Sequence, residues 1–144
     1  MHNVQRSVLV PYSAAQMFDL VAAVDKYPEF MPWCGGAEIH ARDEHGMQAS
    51  ITIALAGIRQ TFTTRNRHQY PHRIDLELVD GPFSALAGHW VFQELAEDAC
   101  KVVFTMEYAF SSRTLEALVG PVFNRIASSF IDSFTKRAQA CYGG

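Results

Sequence analysis

The chain reads as an α+β protein: a strongly curved antiparallel sheet of about seven strands, wrapped around one long C-terminal helix, with two short helices after strand 1. Three observations predict it. Residues 112–141 carry Leu115, Leu118, Val119, Val122, Phe123, Ile126, Ala127, Phe130, Ile131, Phe134 and Ala138 at the spacing of a helix with one buried face. Residues 37–110 switch to period two. Five hairpin-length turns divide that region, which implies an antiparallel meander with one apolar face. A helix of this length rises about 45 Å and needs a broad partner, which the sheet supplies as the second layer. A flat sheet with every helix stacked on one side is the alternative, and it buries the long helix less completely.

Taken in order, residues 3–10 form a strand with Val4, Val8 and Val10 on one face, ended by Pro11. Ser13 caps a helix running to about residue 23, with Met17, Phe18, Val21 and Val24 as its apolar stripe. In residues 25–36, Pro28 and Pro32 exclude a long helix, so one short helical turn precedes a bend into the next strand. Strands follow at 37–42, 47–56, 60–70, 73–79, 86–95 and 101–110. Met47, Ala49, Ile51, Ile53 and Leu55 share a face, as do Ile74, Leu76 and Leu78, then Leu86, Trp90 and Phe92, and last Val102, Phe104, Met106, Tyr108 and Phe110. Ser111 or Ser112 caps the final helix, Glu116 sits near its positive end, Lys136 and Arg137 sit near its negative end, and Gly143 and Gly144 stop it. Gly120-Pro121 is expected to bend this helix or split it in two. Without linkers or repeats, residues 1–144 read as one domain.

Composition narrows the function classes. A net charge of −3 says nothing about a nucleic-acid partner on its own, and no DNA partner is expected. No apolar run is long enough to span a bilayer, and the first residues lack a signal-peptide core, so a cytoplasmic protein is expected. Three widely spaced cysteines, Cys34, Cys100 and Cys141, read as reduced thiols. Among six histidines the tightest pair, His68 and His72, has no third ligand nearby, so neither a metal nor a required cofactor is expected.

Candidate chemistry is sparse. Glu107 should point outward, Asp75 and Glu77 share a polar face, and His89 faces away from Trp90. Cys34 is better read as a small buried residue than as a reactive thiol. No nucleophile–base pair, paired carboxylates or phosphate loop can be argued from spacing. The inward inventory is aromatic instead: Phe30, Trp33, Phe62, Phe83, Trp90, Phe92, Phe104, Tyr108, Phe110, Phe123 and Phe130. A curved sheet meets a helix tightly along only part of its length, so these residues either fill a core or wall an apolar cavity. On the surface, no acidic residue falls between Glu44 and Asp75, where Arg59, Arg65, Arg67, His68, His72 and Arg73 all lie. Arg59, Arg65 and Arg67 share parity, so a strand presents them on one face, either merely solvated or touching anionic lipid or RNA phosphates.

The stretch Tyr27-Pro28-Glu29-Phe30-Met31-Pro32-Trp33-Cys34, then Asp80-Gly81-Pro82-Phe83, Leu86 and Gly88-His89-Trp90-Val91-Phe92, resembles the coenzyme Q-binding / polyketide cyclase-like family of the START superfamily. That family includes bacterial ribosome-association toxins. Phe123, Phe134, Arg137 and Ala138 continue the resemblance, which covers essentially the whole chain. It implies the helix-grip (START / Bet v 1-like) fold. It also implies a non-catalytic role, holding ubiquinone or another polyprenyl lipid between the sheet and the last helix in support of respiratory electron transport. The implied ligand-binding residues are Phe30, Trp33, Phe83, Leu86, Trp90, Phe92, Phe104 and Tyr108 with Val122, Phe123, Ile126 and Phe130. Each buried isoprene unit would contribute about 3–4 kcal/mol before binding costs. Transient contact with the inner membrane would be made at a mouth near Trp33 and Phe83. The alternative is a toxin or regulator that binds the large ribosomal subunit through Arg59, Arg65 and Arg67 and blocks subunit association. A polyketide cyclase-like enzyme, shaping its substrate in a cavity, is a distant third.

Overall fold

Six consecutive strands pair each with the next, and the first strand closes onto the last. The structure, a computed structural model, describes residues 1–143; Gly144, expected to help stop the last helix, lies outside the described residues. The strands are β1 (His2–Val10), β2 (Cys34–Asp43), β3 (Gly46–Leu55), β4 (Ile58–Gln69), β5 (Arg73–Asp80), β6 (Phe83–Ala96) and β7 (Ala99–Phe110). They form one curved antiparallel sheet in the order β1-β7-β6-β5-β4-β3-β2. Helix α1 (Ala14–Ala22) and a 3-10 helix (Val24–Glu29) follow β1, and helix α2 (Arg113–Tyr142) follows β7. This is the predicted architecture of an antiparallel sheet gripping a long helix.

Local chemistry sets the helix starts. Ser13 Oγ accepts from the Gln16 N–H at 3.1 Å while Gln16 Oε1 accepts from the Ser13 N–H at 2.9 Å. This reciprocal capping is worth about 1 kcal/mol. Ser112 Oγ accepts from the Leu115 N–H at the start of α2. Glu116, in the first turn, meets His2 at 2.9 Å and ties the helix to β1. Helix α2 runs unbroken through Gly120-Pro121, so the expected split does not occur. A Cβ on Gly120 would lie 3.6 Å from the Phe110 ring, which places this part of the helix close against β7.

Three expectations for α2 need correction. Leu118 is 59% exposed, because the buried stripe follows Val119, Phe123, Ala127, Phe130 and Phe134 and leaves Leu118 about 100° away from Val119. Asn124, which the helical spacing leaves outside the apolar stripe, accepts a hydrogen bond from the Tyr108 hydroxyl. Lys136 and Arg137 lie outside the last turn, because the helix continues to Tyr142. Arg137 instead bonds Glu29 at 2.8 Å and covers the Phe30 ring at 4.8 Å, clamping the 3-10 helix onto α2.

The core lies between the inner sheet face and α2. Its centre is a lattice of aromatic rings, with Phe123 4.9 Å from Phe83 and 4.7 Å from Tyr108, and Trp90 4.4 Å from Phe104. The offset and edge-on geometries among them are those that ring quadrupoles favour.

Candidate functional site

The packing leaves a gap on the inner side of the central strands. A cavity of about 50 Å³ is walled by Val21 and Ala22 of α1, Val24 and Tyr27 of the 3-10 helix, and Phe130 and Phe134 of α2. From the sheet come Ile51, Phe62, Ile74, Leu76, Trp90 and Met106. Such a volume suits a group of a few heavy atoms, whereas pockets that enclose a whole small ligand run to about 300–1,000 Å³. Tyr27 is held in the wall by donating its hydroxyl to the Val21 carbonyl, and burial raises its pKa far above the ordinary value.

One wall is polar. Strand β4 turns Phe62, Thr64, Asn66 and His68 inward, and the last three border the cavity beside Phe62. Thr64 and Asn66 are buried, and Thr64 Oγ1 donates to Asn66 Oδ1 at 2.7 Å. His68 stands edge-on to Phe18 at 5.2 Å, and its Nε2 is buried without a hydrogen-bond partner among the described protein groups. Trp33 Nε1 is likewise buried and unpaired. A lone buried polar atom of this kind costs about 1–3 kcal/mol. Among the described residues no Lys, Arg, Asp or Glu lines the cavity.

Burial pushes the His68 pKa below its ordinary value of 6.5; Arg42 adds to the shift and Asp43 opposes it. The unfolded chain therefore takes up a proton that the folded chain resists. The stability contribution is fully present above about pH 6.5 and is lost as the pH falls through the folded-state value. Urea midpoints measured from about pH 7.5 down to 5 should decline, and His68→Phe should flatten that decline. An identical pH profile in the variant would assign the loss to other groups.

Only some of the ligand-binding residues implied by the resemblance meet the cavity. Trp90 and Phe130 border the cavity. Phe83, Leu86, Phe92, Phe104, Tyr108, Phe123 and Ile126 are buried against other core residues and do not line it, and Phe30 and Val122, which do not line it either, pack partly buried against the core. Trp33 and Phe83, expected at a mouth, are each only 5% exposed, Trp33 lying against Phe130 at 5.6 Å and Phe83 against Phe123. The partition between cavity and solvent lies elsewhere. Ala22 and His68 line both the cavity and an outer groove that also contains Asp19, Lys26, Arg42 and Asp43. The signal for the polar wall was available in the sequence: the parity that sets Arg65 and Arg67 outward sets Thr64, Asn66 and His68 inward.

On the outer face of β4, Arg59, Arg65 and Arg67 are all exposed, but they do not form one cluster. Six residues of strand put Arg59 about 20 Å from Arg65. Arg65 and Arg67 line a groove with Arg42, Asp43, His45 and Gln48 at the β2–β3 turn. Gly46 shapes that turn: at φ +153°, a Cβ there would sit 1.9 Å from the Asn66 carbonyl oxygen. The run without acidic residues is partly neutralised in space, because Glu77 and Asp75 of β5 sit opposite Arg65 and Arg67. Arg73 is not a free cation, since it is paired with Asp75 at 2.9 Å. Among the described residues Arg65 and Arg67 make no ion pair within 4 Å, and Arg65 reaches only Gln48, at 3.5 Å.

The remaining candidates are structural. Cys34 is buried, its thiol donates to the Gly36 carbonyl at 3.3 Å, and burial raises its pKa, all of which disfavour a reactive thiolate. Among the described residues no three His, Cys, Asp or Glu side chains gather as a metal site, and no helix is long and apolar enough to cross a membrane.

Comparison with known proteins agrees with this fold. The family described as polyketide cyclase / dehydrase and lipid transport matches residues 10–135. The ribosome association toxin RatA of Vibrio cholerae is 46% identical over 143 residues, 99% of each chain. The mitochondrial coenzyme Q-binding protein COQ10 of Drosophila melanogaster is 23% identical over 91% of this chain and 56% of its own. Among solved structures, an 18 kDa protein of Caulobacter crescentus, CC1736, superposes with a TM-score of 0.75 at 34% identity, covering all of both chains. The Zhui aromatase/cyclase of Streptomyces sp. R1128 superposes at 0.79 over 99% of this chain and 98% of its own; at 18% identity it shows the shared fold alone.

Proposed function

The chain belongs to the polyketide cyclase / dehydrase and lipid transport family, and from that premise we propose that it is a ribosome-associating protein that contacts the large subunit through the Arg65–Arg67 groove. The observation that carries this reading is the 46% identity to a ribosome association toxin across 99% of the chain. The surface is compatible with it. Two adjacent exposed guanidiniums without ion pairs of their own suit the phosphate oxygens of ribosomal RNA. A net charge of −3 means that such binding must be local, and two phosphate contacts give it a moderate salt dependence. Purified protein should therefore co-sediment with the large subunit at about 50 mM salt and lose roughly ten-fold in affinity by about 200 mM. Absence of co-sedimentation at low salt would end this reading.

A second reading is favoured by one specific observation, the apolar cavity with a polar wall. In it the protein binds a hydrophobic molecule such as ubiquinone or another polyprenyl lipid, without catalysis. The 50 Å³ volume admits a head group only, so a prenyl tail requires the walls to part. Organic extraction of the purified protein followed by mass spectrometry should yield a quinone or lipid at near one per chain. An empty extract, with no uptake of added ubiquinone, would remove this reading and leave the ribosomal one standing. The two are compatible, since one uses the interior and the other the surface.

A further inference from the structure

We propose that the cavity selects a neutral ligand head, a carbonyl or hydroxyl oxygen on an apolar body, over a carboxylate or phosphate, and that His68 and Asn66 are its hydrogen-bonding partners. The inference rests on the hydrophobic-ligand reading and narrows it. Its first support is the missing counter-charge. An anion placed among Phe62, Trp90, Phe130 and their neighbours would lose its water without meeting any cationic side chain, because none lines the cavity. The charged groups Asp19, Asp25, Lys26, Arg42 and Asp43 line the outer groove, which shares His68 with the cavity.

The second support is the chemistry of the polar wall. Thr64 spends its hydroxyl proton on Asn66 Oδ1, which leaves the Asn66 amide N–H₂ as the available group, a donor. His68 adds a buried Nε2 with no protein partner, able to donate to a carbonyl or accept from a hydroxyl according to its tautomer. Burial keeps this imidazole neutral near pH 7, so it offers a hydrogen bond without a charge. A core built only for packing would be cheaper with apolar residues at both positions. The third support is position. His68 borders both the cavity and the outer groove, where an entering head group would meet it first.

The test compares octan-2-one with octanoate, which have equal chain length and differ in charge, on the full-length protein at about pH 7.5. Trp90 in the wall reports occupancy through its emission, and amide NMR shifts in β4 confirm the place. The ketone should bind at least about ten-fold more tightly than the carboxylate, the ratio expected where an anion would be desolvated without a partner. Asn66→Leu and His68→Phe should each weaken the ketone about 2–10-fold, the range for one hydrogen bond. Equal or tighter octanoate binding overturns the inference, as does unchanged ketone affinity in both folded variants, or binding of neither probe. If a variant fails to fold, the wild-type ketone-to-carboxylate ratio still decides. Extraction of a lipid with a charged head, without preference for the ketone, would sink the inference alone. An empty extract with neither probe bound would sink the hydrophobic-ligand reading as well.

Discussion

Arg65→Glu combined with Arg67→Glu is expected to weaken large-subunit co-sedimentation by about 100-fold or more at low salt, leaving the fold intact. Each arginine can make a charge-assisted bond worth about 1.5–3 kcal/mol, so losing two gives about 3 kcal/mol or more. Reversal adds repulsion, because the new carboxylates would stand beside Glu77 and Asp75 and turn a mixed strip of sheet strongly negative. Both side chains are exposed on the outer face and no ion pair is broken, so stability should change by no more than about 0.5 kcal/mol. Arg59→Glu, about 20 Å along the same strand face, serves as the control and should retain most of the binding. If the double variant sediments like wild type, the ribosome contact lies elsewhere on the surface.

The largest effect on stability is expected at Phe123. Its ring is fully buried and meets Phe62, Phe83, Tyr108 and Phe110 at centroid distances of 4.7 to 6.1 Å. Phe123→Ala removes the transfer energy of the ring and opens a void between α2 and three strands that cannot all move inward. Together these cost about 3–5 kcal/mol, a large fraction of the roughly 5–15 kcal/mol that holds a typical domain together. Leu118→Ala on the same helix should change stability by less than about 0.5 kcal/mol, because Leu118 faces solvent. Urea melts of the two variants measure the contrast directly. A loss below about 1 kcal/mol at Phe123 would contradict its place as the seat of the helix.

The strands and helices were legible because their signals are local. Alternation marks β3 and β7, Ser13 and Ser112 mark helix starts, and turn residues fall between strands; observed ends differ from expected ones by a few residues at most. What was less legible depends on partners distant in sequence. Leu118 satisfies the helical spacing, yet the sheet does not reach it. Asn124 looks like a surface residue until Tyr108 is placed against it. The basic run looked unopposed because Asp75 and Glu77 lie just beyond it in sequence, and only the β4–β5 register brings them alongside Arg67 and Arg65. Aromatic content pointed to a cavity, but whether a ring walls a space or fills it depends on packing to a fraction of an ångström. Most of the rings fill the core.

The pairing of β1 with β7 has a kinetic consequence. Its register sets His2 against Tyr108, so roughly a hundred residues of chain separate the two sides of one ladder. The meander from β2 to β7 can assemble hairpin by hairpin, each closing a short loop. The β1–β7 ladder can form only by closing almost the whole chain, which places the protein among slow, topology-limited folders. Until β1 arrives, β7 is an open edge whose backbone donors and acceptors are unpaired, beside the apolar row of Val102, Phe104 and Met106. In that interval a second unfinished chain can compete with β1 for the same edge.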